Sequence, residues 1–173
     1  MPKVIIVDEK DQIIGSEEKL AARKKGLIRR VSRILLFNDQ GEFLIHKRAP
    51  GISLGNRWNQ SASGHVDEGE SYEQAAYREL EEELGLADIK LEEVDYFYNE
   101  ETATGRRSSK FNKVYRGLHN DQPINPDSKE ISEIKWINRK DLDQRIVQEP
   151  EAFREGFILT WQRYNNKFDN INR

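Results

Sequence analysis

The stretch between Ser71 and Gly85 constrains the fold more than any other part of this sequence. Ser71 and Gln74 have the spacing of a capping box, in which each side chain accepts a hydrogen bond from the backbone N–H of the other residue. Gly85 stands where a helix would end, because glycine readily adopts the left-handed conformation of a C-terminal cap. Leu80 and Leu84 lie one helical turn apart on the same side. The pattern therefore predicts a helix from Ser71 to Leu84 whose leucine side anchors it to a core.

Three glutamates share another face of this predicted helix. Successive helical residues are about 100° apart, so Glu79, Glu82 and Glu83 fall within one arc of about 100°. Like charges at this spacing repel each other by about a few tenths of a kcal/mol per pair. A hard divalent cation such as Mg²⁺ offsets this repulsion, because it takes oxygen ligands and often bridges carboxylates to substrate phosphates. The alternative is a solvated acidic helix, which is what most glutamate-rich helices are.

The segment from Gly64 to Leu86 distinguishes these alternatives when it is considered as a whole. It reads GHVDEGESYEQAAYRELEEELGL and has the required residue type at all nine specified positions of the Nudix box. The chain thus resembles Nudix hydrolases over these 23 residues, and more loosely over the loop from Ala49 to Arg57 and the later strands. The resemblance implies an α/β (α+β) fold, the Nudix fold, in which a mixed β-sheet is sandwiched between α-helices. It also implies hydrolysis of a diphosphate linkage with Mg²⁺ as cofactor, or with Mn²⁺ in its place.

The same resemblance assigns roles to residues of the box. In Nudix hydrolases the last two glutamates of the box core bind the metal, and Glu82 and Glu83 hold those positions. Glu79 is expected as a metal ligand or as the base that takes a proton from water. Arg78 orients the catalytic glutamates and reaches Glu82 at the i, i+4 spacing. Gly64 is expected to offer its backbone carbonyl to the metal. The resemblance therefore gives Glu79, Arg78 and Glu82 to catalysis, and Gly64 and the three glutamates to the metal.

Five residues outside this core have two interpretations each. The segment KEISEIKW resembles the region that supplies a further metal ligand, with Glu130 as the first candidate and Glu133 as the second, unless both are simply exposed beside an edge strand. Glu70 either supports the site or complements the N-terminal charge of the helix. Lys47 and Arg48 either bind phosphate oxygens or end a solvated strand. The sequence leaves these alternatives open.

Four further residues are given no catalytic role. His65 falls at an unspecified position of the box, and a lone histidine is more often structural or exposed than catalytic. Trp58, Tyr96 and Tyr98 have the rings needed to stack on a base, but aromatic residues in strands are usually core residues. We therefore predict that all three aromatic side chains lie in the core.

Composition narrows the class of partner. Because the 28 Lys and Arg residues nearly balance the 31 Asp and Glu residues, the net charge of −3 gives no general affinity for nucleic acid or anionic membranes. We therefore expect a small-molecule diphosphate as the partner, with neither nucleic acid nor membrane. The chain contains no cysteine, which excludes disulfides, thiolate zinc ligands and thiol nucleophiles. The apolar run from Val4 to Val7 is too short for a signal peptide, and no window approaches the roughly 20 apolar residues of a membrane span. These features suit a cytoplasmic protein.

We expect one Nudix domain over residues 1–173, with an N-terminal hairpin and helix (about 1–28) packed on it, and a homodimer by resemblance. Turn residues and β-branched runs predict two hairpins and three later strands, and capping residues and helical spacing predict three helices besides the central one. The predicted strands are 4–7 with 13–14, 31–37 with 43–48, 89–98, 111–118 and 131–137, and the additional helices are one capped by Ser16 and ended by Gly26, a short one capped by Asn138, and a final one over 150–164.

The segments around the box are similar to the branch of the superfamily close to isopentenyl-diphosphate isomerase, as in VDEKDQIIG, FNDQGEFLIHKR and SGHV. That isomerase relies on a cysteine and on histidines that hold its metal. This chain has no cysteine, and Ile28-Arg29-Arg30 stands where the isomerases have His-Arg. An intact box favours hydrolysis over isomerisation, and its full set of glutamates disfavours a third alternative, an inactive Nudix-like binding module. We therefore predict a hydrolase of phosphorus-containing anhydrides, in which water attacks a phosphorus of a nucleoside diphosphate or of a compound linked to one.

Overall fold

The computed structural model describes residues 2–103 and 105–169. The predicted strands and helices follow one another in the expected order, and two short strands that were not predicted, Trp58–Asn59 and Ala62–His65, precede the box. The elements are β1 (Lys3–Val7), β2 (Ile13–Glu18), α1 (Lys19–Lys24), β3 (Ile28–Phe37), β4 (Phe43–Arg48), β5 (Trp58–Asn59), β6 (Ala62–His65), α2 (Tyr72–Leu84), β7 (Leu91–Ala103), β8 (Arg106–Leu118), β9 (Ile131–Ile137), α3 (Arg139–Gln148) and α4 (Glu155–Asp169).

The strands of the described ranges form one nine-stranded mixed sheet. Strand β3 organises it, since β3 pairs antiparallel with β1, β4 and β6 and parallel with β8. Strand β7 joins the sheet through β8, and β9 joins it through β4. Both predicted hairpins, β1–β2 and β3–β4, are present. The topology therefore brings β6, which leads into the box, directly beside the central strand.

Alternate residues of the central strands supply two separate cores. Ile34 and Leu44 point to the side on which Leu80 and Leu84 of α2 are buried. Leu35 and its neighbours point to the other side, where α3 and α4 cover the sheet. This alternation is the period of two expected of a strand that is buried on both faces. The predicted architecture, a mixed sheet between helices, is confirmed, and among the described residues no helix is both long and apolar enough to cross a membrane.

Helix α2 begins and ends as predicted. The backbone N–H of Gln74 donates to the Ser71 hydroxyl at 3.1 Å, and the N–H of Ser71 donates to the Gln74 side chain at 2.8 Å. Gly85 has a φ of 66°, the left-handed conformation that ends a helix without a Cβ clash. Leu80 and Leu84 are buried. The helix is thus fixed at both ends and along one side.

The predicted starts of two other helices are wrong. Ser16 does not cap α1, because β1–β2 pairing extends to Glu18 and keeps Ser16 in the strand, where its hydroxyl donates to Glu68 at 2.6 Å. Backbone pairing with β1 outweighs the local capping signal there. The final helix starts at Glu155 rather than at 150, since a separate 3₁₀ turn occupies Pro150–Ala152 and Phe153 bridges to Trp58. The cap at Asn138 is confirmed, with its side chain accepting from the N–H of Asp141.

One of the three aromatic predictions is confirmed and two are wrong. Trp58 is buried, but Tyr96 and Tyr98 are 42% and 43% exposed. Both tyrosines alternate along β7 with the buried Phe97, so they lie on the opposite face of that strand. The hydroxyl of Tyr96 donates to the carboxylate of Asp11 at 2.9 Å. Tyr96 therefore lies against the N-terminal hairpin instead of in a core.

Candidate active site

Helix α2 presents the box glutamates toward the β6 strand. Glu83 is half-buried, and its carboxylate accepts a hydrogen bond from the backbone N–H of Ser63 at 3.2 Å. The Glu79 side chain is mostly buried, whereas the Glu82 side chain is 58% exposed. The structure therefore brings two of the three predicted carboxylates to the buried end of the helix face and leaves the third at its rim.

The guanidinium of Arg78 connects several residues of the box by hydrogen bonds. It donates two hydrogen bonds to Glu70, at 2.7 and 2.9 Å, one to Glu79 at 2.8 Å and one to Glu82 at 3.1 Å. It also donates to the backbone carbonyl of His65 at 2.9 Å. Planar guanidinium donors suit this kind of simultaneous recognition, which a lysine ammonium does not reproduce. Of the two interpretations of Glu70, the structure favours support of the site, because Glu70 holds Arg78 in place.

The buried carboxylates are electrostatically unfavourable as they stand. Burial, and then the neighbouring Glu79, raise the pKa of Glu83 well above its usual value. Burial also raises the pKa of Glu79, although Arg78 opposes that shift. The Arg78 guanidinium lowers the pKa of Glu70 through its hydrogen bonds. Negative charge on Glu83 is therefore the least compensated in the box.

Gly64 is required by the position of Glu79. A Cβ atom at Gly64 would overlap the Glu79 carboxylate. Glycine at this point of β6 thus lets a charged side chain lie directly against the backbone. The sequence predicted a close approach at Gly64, but for a metal at its carbonyl; the side-chain contact was not foreseen.

The donor set fits a hard divalent cation. Carboxylate and carbonyl oxygens are the ligands that Mg²⁺ takes, and the poorly compensated Glu83 is a group that a cation would neutralise. Within residues 2–103 and 105–169, no three acidic or histidine side chains already converge as a metal site, and Glu79 and Glu82 are turned toward Arg78. Glu79, Glu82, Glu83 and the Gly64 carbonyl remain the groups that would hold the cation.

Of the two candidate ligands outside the box, the structure brings Glu130 nearer. The Glu130 carboxylate is close enough to Glu83 to help raise the pKa of that residue. Its backbone carbonyl accepts from the N–H of Ala49 at 2.8 Å, which fixes the segment beside the site. Glu133 pairs with Lys47 in the β4–β9 register and is exposed. The geometry thus favours Glu130 over Glu133 as an additional ligand.

A cavity of about 500 Å³ opens beside the box at Ser63, Gly64 and His65. Ten lysine and arginine side chains line it, against one carboxylate, that of Glu101. We call it the basic cavity. Arg48 lines the basic cavity, whereas the Lys47 ammonium lies 5.9 Å from the centre of the Trp58 ring and outside the lining. Of these two strand-end cations, Arg48 is therefore the one placed to meet phosphate oxygens.

The inner wall of the basic cavity consists of Arg29, Arg33, Glu101, Lys110 and Arg154. Lys110 donates to Glu101 at 2.9 Å, and the Arg33 guanidinium lies 3.6 Å from the same carboxylate. Burial alone would raise the pKa of Glu101, but these two cations outweigh it and lower the pKa to about 2. Helix α4 starts directly on this wall, since a Cβ at Gly156 would overlap Glu101 and lie 2.8 Å from the Arg33 guanidinium.

Sequence reasoning missed the inner wall, although one signal was present. Arg29, Val31 and Arg33 alternate along β3, so they point to the same side of the strand. Two arginines on one face of a central strand indicate a buried charged site. His65, for which no role was predicted, lies at the edge of this wall, and burial together with nearby cations lowers its pKa well below the usual value.

Comparison with known proteins places this geometry in a family. The family model described as NUDIX domain matches residues 27–161. The chain is 32% identical over 165 residues to an isopentenyl-diphosphate Delta-isomerase of Pectobacterium atrosepticum, covering 94% of this chain and 91% of that protein. It is 37% identical over 132 residues to an uncharacterized Nudix hydrolase of Pseudomonas aeruginosa, covering 76% and 75%.

The structural comparison agrees with the sequence comparison. The crystal structure of DR0079 from Deinococcus radiodurans superimposes with a TM-score of 0.77 at 25% identity, covering 93% of this chain and 98% of that one. The match of the family model extends from before β3 into α4, and it includes the box and every residue of the inner wall. From its sequence, its fold and the arrangement of its box, the chain belongs to the Nudix family.

Proposed function

We propose that the protein is a metal-dependent Nudix hydrolase that cleaves a diphosphate linkage in a nucleoside diphosphate or a compound linked to one. The observation that carries this proposal is the box geometry, in which Arg78 holds Glu79 beside the uncompensated Glu83. The adjacent basic cavity supports it, since a diphosphate is an anion. Water is the nucleophile, and the absence of cysteine excludes a thiol in its place.

The side chains of the box have different roles in the reaction. Glu79, Glu82, Glu83 and the Gly64 carbonyl would hold Mg²⁺, with Glu130 as an additional ligand. When bound, Mg²⁺ offsets negative charge on the glutamates and on the phosphoryl oxygens. Glu79, which Arg78 keeps in place, takes the proton of the attacking water. Arg48 binds phosphate oxygens of the linkage through charge-assisted hydrogen bonds.

The reaction balances with water as the single co-reactant. The water oxygen forms a bond to one phosphorus, and the bond between that phosphorus and the bridging oxygen breaks. The bridging oxygen leaves on the other phosphate, and one proton passes to Glu79 and then to solvent. Hydrolysis in ¹⁸O-labelled water with Mg²⁺ should therefore place one label in a phosphate-containing product, as mass spectrometry would detect. Turnover that continues in excess chelator, or product without label, contradicts the proposal.

Isomerisation of isopentenyl diphosphate is the second candidate, because several relatives that cover most of this chain have that name. Two observations argue against it. The chain has no cysteine, and the inner wall of the basic cavity is cationic, which does not suit an uncharged hydrocarbon. Conversion of isopentenyl to dimethylallyl diphosphate without any phosphate label would show that this second candidate is right.

An inactive binding module is the alternative outside enzymology. It predicts tight binding of a nucleotide with no turnover of any diphosphate. A screen of nucleoside di- and triphosphates, nucleotide sugars and dinucleotides with Mg²⁺ or Mn²⁺ separates the two, since a hydrolase releases a monophosphate from at least one of them. Release of phosphate or nucleoside monophosphate that depends on the box glutamates is the outcome expected here.

A further inference from the structure

The inner wall of the basic cavity has more buried positive charge than the protein itself compensates. Arg29, Arg33, Lys110 and Arg154 face one carboxylate, that of Glu101. Glu101 is already committed to Lys110 and Arg33. Burying a charge without a partner is unfavourable, and the usual remedy is a counterion or a change in protonation. The wall therefore needs anionic charge from outside the chain.

Arg29 and Arg154 are the two cations of the inner wall that have no carboxylate within ion-pair distance among the described residues. Arg29 is 1% exposed, contacts the neutral His65 and Ser108, and leaves its Nε without a hydrogen-bond partner. Arg154 has no side-chain hydrogen bond or ion pair to any residue of the described ranges. Burial, and then neighbouring arginines, lower the pKa of each guanidinium to about 10. The Nε–H of Arg29 and the guanidinium donors of Arg154 therefore have no partner among the described residues and can bind an anion.

The surplus of positive charge extends from the inner wall to the box. Arg48 is close enough to the Glu83 carboxylate and to the Arg154 guanidinium to shift the pKa of both groups. Lys19, on the cavity rim, similarly lowers the pKa of Glu79. An elongated anion that meets the box at one end can therefore reach the inner wall at the other.

The lining also limits what the inner end of that ligand is. Three aliphatic side chains line the basic cavity, those of Leu20, Val31 and Leu54, and its lining contains no Phe, Tyr or Trp. The cations of the inner wall favour an anionic group over an uncharged base, and an isoprenyl chain would lie against charged groups. A terminal phosphate brings about two negative charges at pH 7 and three oxygens that accept hydrogen bonds. A sugar attached to that phosphate would remove one charge and one of these oxygens.

We propose that the substrate is a nucleoside diphosphate or triphosphate with a free terminal phosphate, which Arg29 and Arg154 bind while the linkage to be cleaved lies at the box. This inference rests on the proposed function and narrows it, because compounds capped at both ends of the diphosphate become poor substrates. With ADP the products are AMP and inorganic phosphate, whereas a capped compound such as ADP-ribose would give AMP and ribose 5-phosphate.

Binding tests this substrate class independently of turnover. Calorimetry in excess chelator would compare ADP with ADP-ribose and UDP with UDP-glucose, and inorganic pyrophosphate would serve as a probe without a base. The free-terminal member of each pair should bind about tenfold tighter or more, because charge-assisted hydrogen bonds to phosphate are lost in the capped member. Equal or tighter binding of the capped member, or no binding of any probe, overturns the inference.

Two arginine variants and a matched control test whether Arg29 and Arg154 bind the terminal phosphate. Arg29→Gln and Arg154→Gln should each weaken pyrophosphate and ADP binding by about tenfold and leave ADP-ribose binding nearly unchanged. Arg154→Lys should recover part of the affinity. The control is Arg116→Gln on β8, where Arg116 pairs with Glu92 at 2.8 Å outside the basic cavity, and it should bind as the wild type does. Equal losses for ADP and ADP-ribose would overturn the inference, as would no loss for either.

Thermal unfolding and kinetics complete the test. Loss of affinity in Arg154→Gln should come with an unchanged or higher Tm, because a half-buried charge without an ion-pair partner is removed. With Mg²⁺, kcat/KM should favour ADP over ADP-ribose by about the same factor as binding does. If neither is hydrolysed although ADP binds preferentially, the proposed hydrolysis fails and the assignment of the ligand stands. If ADP-ribose is the better substrate, the hydrolase assignment stands and this inference fails.

Discussion

The glutamates of the box differ in whether a neighbouring cation compensates their negative charge. Arg78 reaches Glu70, Glu79 and Glu82 at once, whereas Glu83 accepts one backbone hydrogen bond and, among the described residues, has no ion pair. Residues next to each other on one helix thus have opposite electrostatic environments. Substitution at Glu83 and substitution at Arg78 should consequently affect folding and activity in different ways.

We expect Glu83→Gln to lose most of kcat while the protein stays folded. Glutamine keeps an oxygen that accepts from the Ser63 N–H but removes a carboxylate from a buried, repulsive site, so Tm should stay the same or rise slightly. Kinetics with Mg²⁺ and thermal unfolding without metal would measure both effects. Full activity in the variant would show that Glu83 is not part of the metal site.

Arg78→Lys should lower activity by about 10- to 100-fold, the range usual for residues that position metal ligands. Lysine keeps the charge but cannot hold Glu70, Glu79 and the His65 carbonyl with one planar group. Titration of Mg²⁺ against activity would reveal weaker metal binding. Arg116→Lys, at an exposed ion pair, is the control, and a similar loss in it would indicate a general effect of the substitution.

At the scale of elements, α2 could be predicted because all its signals are local. The capping box, the leucines and Gly85 all lie within one segment, and they agree with one another. The start of α1 could not be predicted, since pairing of β2 with β1 decides it and register is not visible in Ser16. The inner wall could not be assembled either, because its residues come from β3, β7, β8 and the segment before α4.

Ser71→Ala should reduce the free energy of unfolding by about 1 kcal/mol, the usual contribution of an N-cap side chain. The Gln74 N–H loses its partner, and the first turn of α2 then frays more easily. Urea unfolding would measure the change. Ser132→Ala on β9, where the hydroxyl makes only long contacts, should change stability by less than about 0.5 kcal/mol. An equal loss in both variants would mean that the capping box does not stabilise α2.

At the scale of the whole molecule, the inner wall brings together residues that are far apart in the sequence. Its residues come from the central strand, from the long β7–β8 hairpin and from the segment just before α4. Glu101 holds these parts together by facing cations from two of the strands. Protonation of this one carboxylate should therefore affect global stability, not just a local contact.

Glu101 has a pKa of about 2 in the folded protein against an ordinary value of 4.5. A lowered pKa gives stability that is fully present above pH 4.5 and is lost as the pH falls toward 2. A shift of this size corresponds to about 3 kcal/mol. The stability difference between wild type and Glu101→Gln, from urea unfolding, should therefore be largest above pH 4.5 and shrink below it. A difference independent of pH would rule out this ionic contribution.

The contact at Gly156 has a consequence for how the molecule opens. Because the first turn of α4 lies directly against Glu101 and Arg33, the helix cannot lift without exposing a buried ion pair. Helix α4 and the inner wall of the basic cavity thus belong to one cooperative unit. Amide hydrogens of α4 and of β3 around Arg33 should therefore exchange through the same opening event. The inner wall of the basic cavity then stays closed as long as α4 is in place.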